Sequence, residues 1–485
     1  MPWCYAAPMS TEESPSSEAA QAEGAPSPSL WTEIRQGMAG RRRNYTEGSI
    51  PRAVVVLAVP MVLEMSMQSV FAVVDIFFVG YLGTDAVGAV GLTESVLTVI
   101  FAIAMGLSMG TTAMVARRIG ASDRDGAARA AVQAFVIGGA LALGLGVLGL
   151  IYARDLLALM GGSPSMVEVG TPYASIILAT NITVVLLFLI NAAFRGAGDA
   201  AIAMRSLWLA NLLNIILDPI LIFGLGPIPA MGLAGAAIAT AGGRLVGVCY
   251  QIYHLSRGAG ELKIQRRHLA VDVPLAMRLL RVSTTGMVQF LIGTASWIGL
   301  FRILAAFGTA ALAGYTIAVR IIIFAILPSW GMGNAAASLV GQNLGAGKPE
   351  RAERSVYVAS LANMAFMAIV AVVFQMVPEP IVNGFSDDPE VVAIAVECLR
   401  IVTLAYIFVG FGMVCVQAFN GAGDTVTPTW INFICYWVMQ LPLAWWLSRE
   451  WGPRGVFIAI AISQASLAII GLLMFRRGTW KRQVL

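Results

Sequence analysis

Three polar residues share one face of an apolar segment near the start of the chain. Glu64, Gln68 and Asp75 fall within about 40° of one another around an α-helix. A carboxylate inside an apolar segment needs a cation or a proton as its partner. This face therefore predicts a site that handles cations, and the alternative is a set of polar contacts between packed helices.

A second polar face follows at Asn211, Asn214 and Asp218, which are spaced three and four residues apart. Residues at this spacing lie one above the other on a helix. Asparagine amides pair readily with neighbouring helices, whereas a buried carboxylate such as Asp218 again requires a cation or a proton.

The second half of the chain carries amides instead of carboxylates in comparable segments. Gln289 and Gln417 are polar, but residues 289–304 and 403–417 contain no Asp or Glu. Because polar groups in apolar segments are functional hypotheses by default, we expect five residues to line a ligand cavity: Glu64, Gln68, Asn211, Gln289 and Gln417.

The elements that hold these residues are predicted to be membrane-spanning helices. The chain is 58% hydrophobic and 12% charged, against about 25% charged residues in ordinary globular proteins. A span needs about 20 apolar residues, and the sequence contains twelve such segments: 54–80, 87–116, 130–151, 167–194, 203–225, 232–253, 284–308, 311–341, 355–377, 391–419, 428–448 and 455–475. The predicted fold is an all-α integral membrane protein.

The loops between these segments predict the orientation of the chain. With the N-terminus in the cytoplasm, the inside segments hold 24 Lys and Arg residues and the outside loops hold 3. Cytoplasmic loops of membrane proteins carry this excess of positive charge. We therefore expect both termini to be cytoplasmic.

This orientation places three polar residues from different helices at one level of the membrane. Asp75 lies about 8 Å, Asp218 about 10 Å and Thr240 about 12 Å below the outer ends of their helices. Two carboxylates in a low-dielectric pocket cannot both stay charged without a cation. The oxygens of Asp75, Asn214, Asp218 and Thr240 would also suit a small hard cation such as Na⁺, so both H⁺ and Na⁺ remain candidates.

The two halves of the chain repeat each other at a constant offset of 225 residues. AFRGAGD at 193–199 aligns with AFNGAGD at 418–424. Six spans in each half give both halves the same orientation, which predicts two lobes related by a pseudo-twofold axis along the membrane normal. The predicted organisation is a disordered N-terminal tail (1–50), a first lobe (51–255), a cytoplasmic linker (256–283), a second lobe (284–476) and a C-terminal tail (477–485).

Other classes of protein find little support in the sequence. The five cysteines include no C-x-x-C pair, so neither a disulfide framework nor a zinc site is indicated. Neither a P-loop nor a nucleophile elbow is present, which argues against an enzyme. The basic run at 41–43 is interpreted as an orientation signal and not as a nucleic-acid patch.

The repeated motifs resemble the multidrug and toxic compound extrusion (MATE) family over residues 50–478. The strings that carry the resemblance are VVDIFFVGYLGTDAVGAVGL (73–92), LVGQNLGAGKPERAE (339–353), the RGAGD and NGAGD pair, and NIILDPILIFG followed by GLAGAAIAT. The resemblance implies a cation-coupled antiporter of the bacterial inner membrane, which exports organic cations and other amphiphiles in exchange for H⁺ or Na⁺. It also implies a monomer in the lipid bilayer with small-molecule substrates and no cofactor.

The resemblance further assigns residues to cation coupling. In archaeal and DinF-like members, coupling is placed on positions that match Asp75, Asn214, Asp218 and Thr240, and a helix-bending proline matches Pro60. NorM-like members instead carry acidic residues in the seventh and tenth helices, which this chain lacks. The remaining alternative is a flippase for lipid-linked saccharides of the same superfamily, which paired arginines facing the cleft would favour.

Overall fold

The computed structural model describes residues 29–40, 44–258 and 260–483, without the side chains of residues 72, 73, 75 and 76. The first half contains six long helical elements in chain order. They are α1 (Ile50–Gly80), α2 (Thr84–Gly120), α3 (Arg124–Leu159), α4a and α4b (Pro164–Ala179 and Asn181–Ala197), α5 (Ala200–Phe223) and α6 (Gly232–Arg257).

The second half repeats this order. It contains α7 (Val273–Leu304), α8 (Thr309–Gly345), α9 (Pro349–Met376), α10a and α10b (Pro389–Thr403 and Tyr406–Ala422), α11 (Val426–Asn432, Phe433–Gln440 and Leu441–Trp451) and α12 (Pro453–Arg476). In the described part of the chain, nine helices are long and apolar enough to cross a membrane, and the two bent pairs raise this number to eleven. The pieces of α11 lie where the sequence predicts the span 428–448.

Three spans depart from straight α-helices. The two parts of α4 meet at an angle of 42°, and the two parts of α10 meet at 60°. The central piece of α11, Phe433–Gln440, is a π-helix that ends two residues before Pro442. A proline cannot donate the backbone hydrogen bond of a regular turn, and helices commonly accommodate such a defect by widening locally.

The helix ends preserve the repeat that the sequence predicts. Thr309, which begins α8, lies 225 residues after Thr84, which begins α2, and the same interval separates the starts of α10b and α4b. Both α4b and α10b end at a left-handed glycine, with φ of 91° at Gly198 and 85° at Gly423. The two lobes are therefore built from equivalent elements.

The structure differs from the predicted organisation at the lobe boundaries. Residues 1–50 are predicted to be disordered, but Leu30–Met38 forms a helix whose N-cap Ser29 accepts a hydrogen bond from the Thr32 backbone. An ion pair of 3.0 Å between Glu33 and Arg52 ties this helix to α1. Residues 1–28 and 41–43 lie outside the described residues. The linker is shorter than predicted because α7 already begins at Val273.

The lobes touch closely at the face of the bundle where α1 begins and α2 ends. A Cβ atom added to Gly120 would lie 1.9 Å from the carbonyl oxygen of Gln342, and one added to Gly345 would lie 1.9 Å from that of Arg117. The 225-residue offset relates Gly120 to Gly345 and Arg117 to Gln342, so the two contacts are equivalent. The helices α2 and α8 therefore cross near the pseudo-twofold axis. Only glycine allows the two backbones this approach.

Hydrogen bonds across the same face join the lobes further. Arg117 Nη1 donates to the Ala422 carbonyl at 3.4 Å, and Gln342 Nε2 donates to the Gly196 carbonyl at 2.9 Å. Arg351, on α9 in the second lobe, donates to the carbonyl oxygens of Tyr45, Glu47 and Gly48, just before α1. We call this set of contacts, together with Gly120 and Gly345, the inter-lobe clasp.

The clasp makes a prediction about Gly120→Ala. Alanine favours the helix more than glycine does, so any disturbance arises from the contact with Gln342. Relief of the overlap requires α2 and α8 to separate by about 1.5 Å. In a cysteine-free background, a spin-label pair at Ser122 and Arg354 should report a longer distance in Gly120→Ala.

The matched control for this measurement is Gly139→Ala on α3. A Cβ atom at Gly139 meets nothing within 4 Å, so the label distance should equal that of the parent protein. Equal distances in the two variants would contradict the close crossing of α2 and α8.

Candidate functional site

A cavity of about 190 Å³ lies between the two lobes. Its charged and amide side chains come from both halves of the chain: Glu64, Gln68, Asn191, Arg195, Asn334, Gln417 and Asn420. Its apolar lining includes Met65, Met105, Met109 and Trp330. Drug-sized sites typically measure about 300–1,000 Å³, so in this conformation the cavity accommodates part of such a ligand, for example its polar end.

The charged wall of the cavity is an ion pair between α1 and α4b. Arg195 Nη1 lies 2.8 Å from Glu64 Oε1, and the side chains are 9% and 1% exposed. Asn191 Nδ2 donates to the same carboxylate oxygen at 3.1 Å. The other oxygen, Glu64 Oε2, is buried and has no hydrogen-bond partner among the described residues.

A network of hydrogen bonds extends behind this ion pair into the first lobe. Ser206 Oγ on α5 donates to Asn191 Oδ1 at 3.1 Å. Gln251 Nε2 on α6 donates to Ser206 Oγ at 2.9 Å and also contacts Asn191 Oδ1. Side chains from three other helices thus hold the Asn191 amide in one orientation, which aims its NH₂ group at Glu64.

The position of Arg195 corrects the sequence interpretation. The fourth predicted span ends at residue 194, which places Arg195 in a loop. In the structure α4b continues to Ala197, and Arg195 is only 7% exposed. The signal available in the sequence was the repeat itself, because AFRGAGD and AFNGAGD differ in charge at this residue alone.

The predicted acidic character of the α1 face is also changed by this pairing. Glu64 faces a guanidinium, so the described lining of the cavity carries one carboxylate and one arginine. Paired arginines, which would favour the flippase, are not found among the described lining residues.

The predicted coupling residues on α5 and α6 lie together. Asn214 Nδ2 donates to Asp218 Oδ1 at 3.2 Å and to Thr240 Oγ1 at 3.0 Å. Asp218 is fully buried, and Asn214 and Thr240 are 2% and 6% exposed. Asp75 belongs to α1, but its side chain lies outside the part of the chain that the structure describes.

This cluster can hold a proton or a small cation. Asn214 Oδ1 is buried and has no partner among the described residues. If the Asn214 amide rotated, this oxygen would join those of Asp218 and Thr240 as a ligand for Na⁺. If Asp218 instead bound a proton, the present arrangement of the amide would persist.

The remaining predicted site residues divide between the cavity and its surroundings. Gln68 and Gln417 line the cavity, whereas Asn211 and Gln289 do not. Asn211 and Gln289 are buried at 7% and 5% exposure within α5 and α7. Pro60 lies inside α1, which is helical without interruption from Ile50 to Gly80.

The wall contributed by the second lobe is neutral. Gln417 Nε2 donates to Asn334 Oδ1 at 3.1 Å, and Asn420 Nδ2 donates to Gln417 Oε1 at 2.9 Å. These amides line the same cavity as the Glu64–Arg195 pair. Sequence reasoning found Gln417 but missed Asn334 and Asn420.

Comparisons with known proteins agree with this architecture. The MatE family model matches residues 60–220 and 285–446. A probable multidrug resistance protein NorM of Thermotoga maritima is 26% identical over 438 residues, covering 90% of this chain and 94% of its own. An FAD transporter of Shewanella oneidensis is 25% identical over 430 residues, covering 88% and 95%.

Solved structures show the same fold. One, described as the outward-facing conformation of a multidrug resistance MATE family transporter, superposes with a TM-score of 0.85 at 29% identity and covers 90% of this chain and 98% of its own. The predicted fold of twelve helices in two lobes is thereby confirmed. The family consists of transporters, which also agrees with the interpretation that the chain is not an enzyme.

The ion pair leads to a prediction about stability. Removing one partner of a buried pair costs about 3–5 kcal/mol, because the other charge is left uncompensated. Arg195→Ala should therefore lower the thermal stability of the purified protein more than the double variant Glu64→Gln with Arg195→Asn. Fluorescence-monitored melting in detergent would measure this, and equal losses in both variants would contradict the pairing.

Proposed function

The chain belongs to the MatE family of membrane transporters, and from that premise we propose that it is a cation-coupled antiporter. In this proposal it exports cationic and zwitterionic amphiphiles across the bacterial inner membrane in exchange for H⁺ or Na⁺. Several of its relatives are named as multidrug resistance or export proteins. The proposal extends that general role to a coupling ion and a class of substrate.

The observation that carries the proposal is the buried cluster of Asn214, Asp218 and Thr240. A carboxylate buried within a membrane span is costly and is retained where it binds a proton or an ion. The Asn214 amide joins Asp218 to Thr240 on the neighbouring helix, so a change in the charge of Asp218 is felt by both α5 and α6. We assign cation coupling to these residues and to Asp75.

The cavity and the clasp supply the other parts of an alternating-access cycle. The cavity contacts both lobes, so its shape changes when the lobes move relative to each other. The clasp joins the lobes at the face where α1 begins, and we take this face as cytoplasmic because of the excess of Lys and Arg predicted there. This conformation would then receive the coupling ion and release cargo on the outer side.

Coupling follows from electrostatics in this scheme. A proton or Na⁺ that arrives from outside neutralises the carboxylates of Asp75 and Asp218 and removes their attraction for a cationic cargo. Linkage is mutual, so a cargo that is released by the ion must also lower the affinity for the ion by the same factor. Pro60 in α1 gives that helix a site at which it can bend.

The proposed site makes a prediction about neutral variants. Asp75→Asn and Asp218→Asn remove the ionisable group at nearly constant volume, so folding should survive and ion-driven export should fall to the background rate. Efflux of ethidium and of a fluoroquinolone from expressing cells would measure this. Asp155→Asn, an exposed carboxylate at the end of α3, is the matched control and should export normally.

Two results would contradict this assignment. One is wild-type export by Asp75→Asn or Asp218→Asn. The other is protection of cells against anionic compounds only, such as dinucleotides of the kind named for the Shewanella relative.

Mutual coupling makes a separate prediction about affinity. The Kd of the purified protein for ethidium should rise as the pH falls or as the Na⁺ concentration rises, because either ion neutralises the carboxylates. Asp75→Asn should lose this dependence, and Asp155→Asn should keep it. Parallel titrations of H⁺ at fixed Na⁺ and of Na⁺ at fixed pH identify the coupling ion. A Kd that responds to neither ion would exclude the mechanism.

A further inference from the structure

Among the described lining residues, the charges of the cavity belong to the first lobe, although both lobes have the same fold. At the 225-residue offset, Gln289 is the equivalent of Glu64, and Asn420 is the equivalent of Arg195. The second lobe therefore folds with two neutral amides where the first lobe has an ion pair. Since the architecture tolerates the amides, helix packing alone does not account for the two charges.

The ion pair retains unused capacity for hydrogen bonds. Glu64 Oε1 accepts from both Arg195 and Asn191, but Glu64 Oε2 has no hydrogen-bond partner among the described residues. A guanidinium has five N–H donors, and the one contact of Arg195 recorded for the described residues goes to Glu64. The pair thus offers an acceptor and several donors close together.

The surrounding groups restrict what can bind there. Asn191 is held by Ser206 and Gln251, so the carboxylate of Glu64 cannot turn freely. The pair has no net charge, and a simple monocation or monoanion would meet one attractive and one repulsive group. A ligand end that carries a positive and a negative group side by side would meet attraction from both.

We propose that the Glu64–Arg195 pair selects cargo by binding zwitterionic ends, with the cargo ammonium on Glu64 Oε2 and the cargo carboxylate on the free donors of Arg195. This inference rests on the proposed export of amphiphiles and adds a determinant of specificity to it. The methionines at Met65, Met105 and Met109 provide an adaptable apolar wall for the rest of the cargo.

The test uses a fluoroquinolone and its methyl ester. The free acid carries an amine and a carboxylate and is a zwitterion at neutral pH, whereas the ester keeps the amine and loses the negative charge. The wild-type protein should bind the acid more tightly than the ester. Hydrogen bonds between charged groups are strong enough for a difference of about tenfold, measured as a ratio of Kd values on the purified full-length protein.

Variants of Arg195 should reduce this ratio, whereas a variant of Glu64 should preserve it. Arg195→Asn should weaken binding of the acid about tenfold and bring the ratio close to that of equal binding. Glu64→Gln should weaken binding of both ligands through the shared amine and leave the acid preferred. Arg195→Lys keeps the positive charge and should retain part of the preference.

Two further variants protect the test against a structural explanation. The double variant Glu64→Gln with Arg195→Asn copies the residues of the second lobe, leaves no unpaired charge, and should bind both ligands weakly with equal affinity. Asn420→Ala changes the equivalent position in the second lobe and should keep the wild-type ratio, whatever its effect on total affinity.

The outcomes separate this inference from the proposed function. An acid-to-ester ratio that is unchanged in both Arg195→Asn and the double variant, or a wild-type protein without preference, would overturn the inference while ethidium export continued. Wild-type proteoliposomes that fail to transport ethidium under either ion gradient would instead count against the proposed function.

Discussion

The structure depends on one constraint: a polar group inside the hydrocarbon layer must find its partner within the protein, because no water is available there. Both polar clusters of the first lobe obey it. Glu64 is held by Arg195 and Asn191, and Asp218 is held by Asn214. Each cluster joins at least two helices, so a change of charge at either one alters how those helices pack. The same constraint therefore explains why these buried residues are energetically costly and why a change in their charge can move helices.

The two lobes of the repeat satisfy this constraint with different polar residues. The two lobes have equivalent helices, left-handed caps and crossing glycines, yet the carboxylate and the arginine among the described lining residues of the cavity both belong to the first lobe. The second lobe contributes the amides of Asn334, Gln417 and Asn420, which bond to one another without bringing charge into the membrane. The described cavity wall of the second lobe is therefore neutral, whereas that of the first lobe carries the Glu64–Arg195 pair.

The sequence predicted the spans and the repeat because both depend on local composition, and the family match and solved structures confirm the fold. It could not predict the 42° and 60° bends or the π-helix, since these depend on packing against neighbouring helices. It could not predict the partner of Glu64 either, because Arg195 lies 131 residues away and follows the predicted end of its span. The grouping of Asn214, Asp218 and Thr240 was accessible from helix spacing, and their role in coupling stays a prediction.

The chemistry of the clasp has a further consequence. Its acceptors are main-chain carbonyls of Gly196, Ala422, Tyr45, Glu47 and Gly48, and its donors are an amide and two guanidinium groups. None of these groups gains or loses a proton in the physiological pH range. The hydrogen bonds of the clasp therefore do not depend on pH. The contacts that join the lobes are thus distinct from the carboxylates to which we assign cation coupling. The hydrogen bonds of the clasp do not use the side chains of the acceptor residues, but Gly196 has no room for one, because an added Cβ atom would lie 2.8 Å from the carbonyl oxygen of Thr112.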